Sequence, residues 1–282
     1  MEIIKTRVRQ ALSRSGLGDV DYALNPYLGC WHACIYCYAR LYTPHPKASR
    51  MWGEVVVVKE NIVEVLEREA SRLPRGVVGL GTITDPYQPV EAVYKLTQKS
   101  LRILLERGFP VSIQTKNTLI LRDIGLLEDY KRLVDVGVTI TSLDWRKARV
   151  WEPRAPHPRE RAKIVYEASS RGIETWIFYG PIIPGYNDDP KTIEEIVKLD
   201  KEAKATLYYD RLHIKSFMRK NPFLAKTIKQ TEKYNWRKLY RNIREVCSKL
   251  KVACREGFYT KNKEPLAKRR EERSLLYYFN QP

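Results

Sequence analysis

Apolar residues recur along this chain as short, β-branched runs separated by stretches with helical spacing. Tyr22–Leu28, Val77–Ile83, Pro110–Thr115, Val136–Leu143, Ile173–Tyr179 and Thr206–Tyr209 are such runs, each bounded by turn residues. Runs of this kind read as buried strands. Between them, Ile62, Val65, Leu66, Ala70 and Leu73 share one helical face behind Asn61, and Pro74 and Gly76 end that helix. Val90–Arg107 carries Val93, Leu96, Leu101, Leu104 and Leu105 at helical spacing, with Gly108 as its stop. Leu126–Val134, Arg159–Ser170 and Pro190–Ala203 are the remaining expected helices of this alternation, and Glu54–Lys59 (EVVVVK) suits either a strand or a buried loop segment. Repeated βα units call for a parallel sheet with right-handed crossovers. Some six units predict an α/β fold of the partial (β/α)6, TIM-type barrel class rather than a doubly wound sheet. In that architecture acting side chains sit at the C-terminal strand ends. The polar strings GTITDPYQP, QTKN, TSLD and GPIIPG each follow an expected strand.

The flanks differ from this middle. Residues 1–20 read as a basic, amphipathic arm, 21–214 as the barrel, and 215–282 as a basic, aromatic C-terminal extension containing a helix over Trp236–Leu250. The 282 residues are 43% hydrophobic and 30% charged, the balance of a globular domain rather than a disordered chain. No run approaches the ~18 apolar residues of a membrane helix. MEIIKTRVRQALSRSG lacks the apolar stretch of an export signal, so a cytoplasmic setting, where free thiols survive, is expected. The net charge is +18, and Arg211–Pro282 alone holds 20 Lys+Arg against 6 Asp+Glu. A basic face with aromatic residues interleaved answers a polyanion, nucleic acid above all. The competing reading is the Lys/Glu/Arg-rich surface of a heat-adapted protein, which the low count of six glutamines also suits.

The chemistry gathers in NPYLGCWHACIYCYAR, residues 25–40. Cys30, Cys34 and Cys37 stand as C-x3-C-x2-C, too close to be good disulfide partners and well placed as ligands of one centre. Three thiolates leave a centre one ligand short. A structural zinc site, completed by His32 or His45, closes with four ligands. A four-iron cluster held by three keeps one iron open. Cys247 and Cys254, spaced C-x6-C, read as buried thiols or a disulfide rather than ligands.

With an aromatic residue, Tyr36, before the last cysteine, this string resembles the radical S-adenosylmethionine (SAM) superfamily. NPYxGCxHxCxYCYAR, GTITDPYQPVE, QTKNTLILRD, EPRAP and GPIIPGYND together are similar to its spore photoproduct lyase-like branch, over roughly residues 20–200. The resemblance implies a [4Fe–4S] cluster on Cys30, Cys34 and Cys37, with SAM on the open iron. One electron from a ferredoxin- or flavodoxin-type donor then cleaves SAM to methionine and a 5′-deoxyadenosyl radical that abstracts hydrogen from a substrate. It further implies that Tyr36 and Gly180 face the adenine, that Thr84 and Thr141 or Ser142 contact SAM, and that Lys116 meets its carboxylate. Asp85, Gln88 and Glu91 lie in the same polar loop, within reach of the ribose. Arg154 is a candidate for the cofactor carboxylate or a substrate phosphate. One position departs from the lyases. They carry a hydrogen-donating cysteine two places before the Ser/Thr of the TITD-type motif, where this chain has Thr82. The expected substrate is nucleic acid or nucleotide-like. A peptide or small metabolite, and a non-enzymatic metal-bearing nucleic-acid binder, are the alternatives.

Overall fold

The computed structural model describes residues 1–257. Its main sheet is built from β2 (Leu12–Arg14), β3 (Tyr22–Leu24), β6 (Val78–Leu80), β7 (Val111–Thr115), β8 (Val134–Thr139), β9 (Glu174–Ile182), β10 (Thr206–Arg211) and β11 (Cys254–Glu256). The order is β11-β10-β9-β8-β7-β6-β3-β2. From β3 to β10 the six strands lie side by side in chain order and all pair in parallel. That is the expected partial (β/α)6 barrel. β11 adds a parallel edge beside β10, and β2 an antiparallel edge beside β3.

Alternation along the strands sets the two faces. Val111, Ile113, Val134, Val136, Val138, Ile177, Tyr179 and Leu207 join one core with Leu101, Leu104, Ile164, Val165, Ile193 and Val197 of the helices Leu96–Glu106, Pro158–Ser170 and Pro190–Ala203. Each such fully buried aliphatic side chain is worth about 1.5–3 kcal/mol relative to exposure. The alternate positions turn to the barrel interior, where Asp135 accepts hydrogen bonds from Ser112 (2.7 Å) and from the Trp176 indole (2.7 Å). The Trp176 ring lies over Gly137, where a Cβ would fall 2.1 Å from it.

A smaller sheet, β1 (Glu2–Thr6)–β5 (Val55–Lys59)–β4 (Tyr27–Leu28), closes over the start of the cysteine loop. EVVVVK is therefore a strand, and residues 2–6 and 12–14 of the basic arm add strands to the two sheets. Glu69 accepts the backbone N–H groups of Ala11 (3.1 Å) and Leu12 (2.8 Å), and Asn61 brackets Val8 through its N–H and its carbonyl.

Two expected helices change shape. Val90–Arg107 is broken into Glu91–Tyr94 and Leu96–Glu106 at Lys95, which takes φ +52°. The break has a physical cause. The Glu91 carboxylate turns back to accept the N–H groups of Thr97 (2.9 Å) and Gln98 (3.1 Å), capping the second helix. Leu126–Val134 shortens to a helix over Ile124–Asp129, because Val134 already belongs to β8. Trp236–Leu250 is helical as expected and packs on Pro190–Ala203. At its end Cys247 and Cys254 form a disulfide with Cα atoms 6.2 Å apart, holding β11 to the helix. The aromatic residues Phe258, Tyr259, Tyr277, Tyr278 and Phe279 lie outside the described residues.

Candidate active site

The cysteine loop leaves β4 at the C-terminal mouth of the barrel. Two left-handed residues, Gly29 (φ +77°) and Ala33 (φ +56°), curl it. A side chain at Gly29 would collide with the Val55 carbonyl, at 2.4 Å, so the strand and loop can approach only with glycine there. Cys30, Cys34 and Cys37 are unbridged, the first two buried and the third half-buried. The Ala33 N–H donates to Cys30 O (3.3 Å) and the Cys37 N–H to Cys34 O (3.1 Å), so the loop turns between successive cysteines.

The segments after β6 and β7 lock this loop. Thr84 donates its hydroxyl to Gly29 O (2.6 Å). Gln88 donates to Thr84 Oγ1 (2.8 Å) and Gly29 O (3.2 Å), and accepts the Trp31 N–H (2.9 Å). Asp85 accepts the Thr115 hydroxyl (2.7 Å) and the Lys116 N–H (2.8 Å), and faces His32 Nδ1 at 3.3 Å. Burial alone would raise its pKa, but His32 and the Thr115 and Lys116 donors outweigh burial and hold it at about 2. Thr84, Asp85 and Gln88 therefore act on the loop's shape. Glu91 lies deeper, fully buried between Tyr27 (2.5 Å), Arg122 (2.7 Å) and the helix start it caps, so it is a structural carboxylate and not a ribose contact.

Lys116, Tyr36 and Glu152 converge on the cysteines. The Lys116 ammonium is 5.9 Å from the centre of the Tyr36 ring. Burial works against its charge, yet Cys34, Glu152 and Cys37 together raise its pKa. The Tyr36 hydroxyl donates to Glu152 Oε1, and Arg161 Nη1 donates to Glu152 Oε2 at 2.6 Å. Burial pushes the thiols up, Cys34 to about 12 even with Lys116 pulling it down. Burial also raises Cys30 well above its ordinary range, with Asp85, Cys34 and Cys37 adding to it. Metal binding would displace these protons.

The donor set can be tested against the possible centres. Among the described residues no three His, Cys, Asp or Glu side chains gather as a single metal ion requires. His45 Nδ1 accepts the Ala48 N–H (3.3 Å) and His32 faces Asp85, so neither completes a zinc site. Three free thiols set around one curled loop, close enough to feel one another's charge, fit a body with several metal atoms.

The family model of the radical SAM superfamily matches residues 24–199. The chain belongs to that superfamily. A radical SAM protein is an enzyme, and the family implies a [4Fe–4S] cluster and SAM. An uncharacterized protein of Methanocaldococcus jannaschii is 30% identical over 216 residues, 77% of this chain and 80% of its own length. A radical SAM Nalpha-GlyT isomerase of Pseudomonas phage M6 is 27% identical over 164 residues, 57% of this chain and 33% of its own length. Among solved structures, a spore photoproduct lyase variant with bound AdoMet and dinucleoside spore photoproduct superposes with a TM-score of 0.62. The match has 12% identity and covers 92% of this chain and 82% of the lyase.

Of the remaining expected contacts, Thr141 and Ser142 are buried just past β8. The Thr141 carbonyl accepts from Asn187 (2.8 Å), and the Ser142 hydroxyl accepts the Asp144 N–H (3.1 Å). Gly180 precedes a cis peptide bond to Pro181, and a Cβ there would meet the Phe178 ring at 2.4 Å. The Arg154 side chain, expected to be free for an anion, already has partners. Its guanidinium is held by the Gly53 carbonyl and Glu54 and lies over the Trp31 ring at 4.5 Å. A fork held at both ends, with its face on a ring, serves to brace the loop. The buried carboxylate and cation that hold Tyr36, Glu152 and Arg161, escaped the sequence reading. A signal for Arg161 existed: it shares a helical face with Pro158, Ile164, Val165 and Ala168, where only apolar residues are expected.

No helix among the described residues is long and apolar enough to cross a membrane.

Proposed function

We propose that this enzyme binds a [4Fe–4S] cluster through Cys30, Cys34 and Cys37 and cleaves SAM reductively, directing the resulting radical at a nucleic acid or nucleotide-like substrate. The observation that carries this reading is three unbridged thiols on one curled loop at the barrel mouth, with the half-buried Lys116 set against the Tyr36 ring of the same loop. The bound cluster and SAM supply a 5′-deoxyadenosyl radical. The chain's own residues do the rest. The three thiolates leave one position open, and Lys116 offers a cation there for a carboxylate. Tyr36 presents a ring beside that cation. Gly180, where a side chain would collide with the Phe178 ring, is the small residue whose backbone faces the adenine. Thr141 and Ser142 line the neighbouring strand end. Asp85, Thr84 and Gln88 hold the loop so that the open position faces the mouth. A one-electron donor of ferredoxin or flavodoxin type supplies the electron.

Support for the substrate class comes from three sides. The spore photoproduct lyase neighbour holds a dinucleoside, the phage relative's name refers to Nalpha-GlyT, and the chain carries a net charge of +18 concentrated after residue 210. Anaerobic reconstitution tests the chemistry: about four irons per chain and dithionite-dependent 5′-deoxyadenosine are expected. Cys34→Ala abolishes both. Cleavage surviving in Cys34→Ala, or a colourless protein with one zinc, refutes the proposal. Oligonucleotide binding with a steep log–log salt slope tests the substrate, and no binding at low salt returns the peptide or metabolite reading.

A further inference from the structure

The segment 151–154 runs beside the cysteine loop as a splint. The Ile35 N–H donates to Trp151 O (2.9 Å) and the Arg154 N–H donates to His32 O (3.3 Å), so backbone bonds grip the loop on both sides of Cys34. Glu152 lies between these two bonds, with no exposed surface. One carboxylate oxygen takes the Tyr36 hydroxyl and the other takes Arg161 Nη1. Arg161 is equally buried. Its Nε donates to Pro156 O (2.8 Å) and its Nη1 also to Thr139 O (3.3 Å) at the end of β8, while its Nη2 has no partner among the described residues.

Stability gives no reason to keep this pair. Desolvating two charges offsets most of their attraction, and apolar replacements of similar volume are often neutral or better. What the pair supplies is geometry: two backbone carbonyls, Pro156 O and Thr139 O, hold Arg161, Arg161 holds Glu152, and Glu152 fixes the hydroxyl end of Tyr36. Lys116 lies over the other end of the system, against the Tyr36 ring, and feels the Glu152 charge.

We propose that Glu152, clamped by Arg161, is a positioning residue that sets the Tyr36 ring and the Lys116 ammonium on the open side of the cysteine loop, where they receive SAM, the ring beside its adenine and the ammonium beside its carboxylate. The inference rests on the reading that the cluster and SAM bind here.

The test uses reconstituted holoenzyme under anaerobic conditions, with SAM as the probe. Glu152→Leu/Arg161→Met removes both charges at similar volume, and Tyr36→Phe removes only the hydroxyl link. Iron content, the SAM dissociation constant and the change SAM produces in the EPR spectrum of the reduced cluster are measured for each. The double variant is expected to keep its iron, to bind SAM about tenfold more weakly and to lose much of the SAM-induced spectral change. Tyr36→Phe is expected to weaken SAM about threefold, with its iron intact. A double variant with full iron, wild-type affinity and the wild-type spectral response overturns the proposal. If the double variant loses its iron, Tyr36→Phe decides in the same way. A wild-type protein that holds no cluster, or a cluster that does not respond to SAM, defeats the underlying reading instead.

Discussion

Replacing Asp85 with asparagine separates the scaffold of the loop from its chemistry. Asp85 is 8% exposed and accepts from Thr115 Oγ1, Tyr87 N and Lys116 N at 2.7–2.9 Å while facing His32. Burial disfavours its charge, but these partners bring its pKa from an ordinary 3.8 to about 2. A carboxyl depressed in the folded state takes up its proton more readily when unfolded, so its contribution is complete above about pH 4 and is lost as the pH falls towards 2. A gap of nearly two units at about 1.4 kcal/mol each makes that contribution about 2.5 kcal/mol. Asparagine also turns an amide N–H toward donors that need an acceptor, which brings the expected loss at pH 7 to about 2–4 kcal/mol. Urea titrations of the cluster-free protein at pH 7, 5, 4 and 3 read this directly. The difference between wild type and Asp85→Asn should be constant above pH 5 and shrink steadily below pH 4. A difference that stays constant down to pH 3, or is absent at pH 7, refutes the assignment of Asp85 as the charged pin between the loop and β7.

Glu91→Gln is expected to cost about 1–3 kcal/mol, because it removes the charge that Arg122 shares with Asp123 and turns an amide N–H toward Tyr27 or the N–H groups of the helix start, while SAM affinity of the surviving folded protein stays within twofold. Thermal melting and SAM titration check it together, and a large drop in affinity would restore Glu91 as a cofactor contact. Asp200, buried on the helix Pro190–Ala203 with both oxygens unpartnered among the described residues, has its pKa raised by burial to about 7. A carboxyl raised in the folded state lowers stability as pH rises from about 4 to 7, so Asp200→Asn should stabilise by about 2–4 kcal/mol at pH 8 and hardly at all at pH 4. Equal effects at both pH values would rule out a buried, reluctantly ionised Asp200.

The barrel was legible because its signals are local and repeated. Val111–Thr115 and Val134–Thr139 are β-branched runs whose faces alternate as the sheet requires. The cysteine spacing lies within eight residues, so no tertiary knowledge was needed to see a centre there. What stayed hidden depends on contacts across long separations. The break at Lys95 follows from one carboxylate turning back to cap a helix, which no periodicity encodes. Arg154 looked like an anion receptor because its fork suits one, but Gly53 and Glu54, a hundred residues away in sequence, already occupy it. Glu152 drew no notice in the sequence, because its partner Tyr36 is 116 positions away. Polar residues within a motif show where the site lies; which of them brace the loop and which face the ligand is settled only by packing.

That distinction bears on Thr82, the position where the spore photoproduct lyases carry their hydrogen-donating cysteine. Thr82 sits just past β6 and is tied on both sides: its hydroxyl accepts from Asn25 Nδ2 (3.0 Å) and its carbonyl from the Tyr38 hydroxyl (2.7 Å). An aliphatic O–H bond is stronger than the C–H bond it would have to form, so this side chain cannot close a carbon radical as a thiol does. The chain has five cysteines in all. On the proposed reading three hold the cluster, and Cys247 and Cys254 are joined to each other behind β11. No thiol of the disulfide-bonded chain is then left to return a hydrogen atom to a substrate radical. The chain shares its fold with the lyases, and on the proposed reading it departs from them at Thr82. On the proposed reading, a substrate radical is therefore closed by something other than a protein thiol, which would set this chain apart from thiol-terminated photoproduct repair.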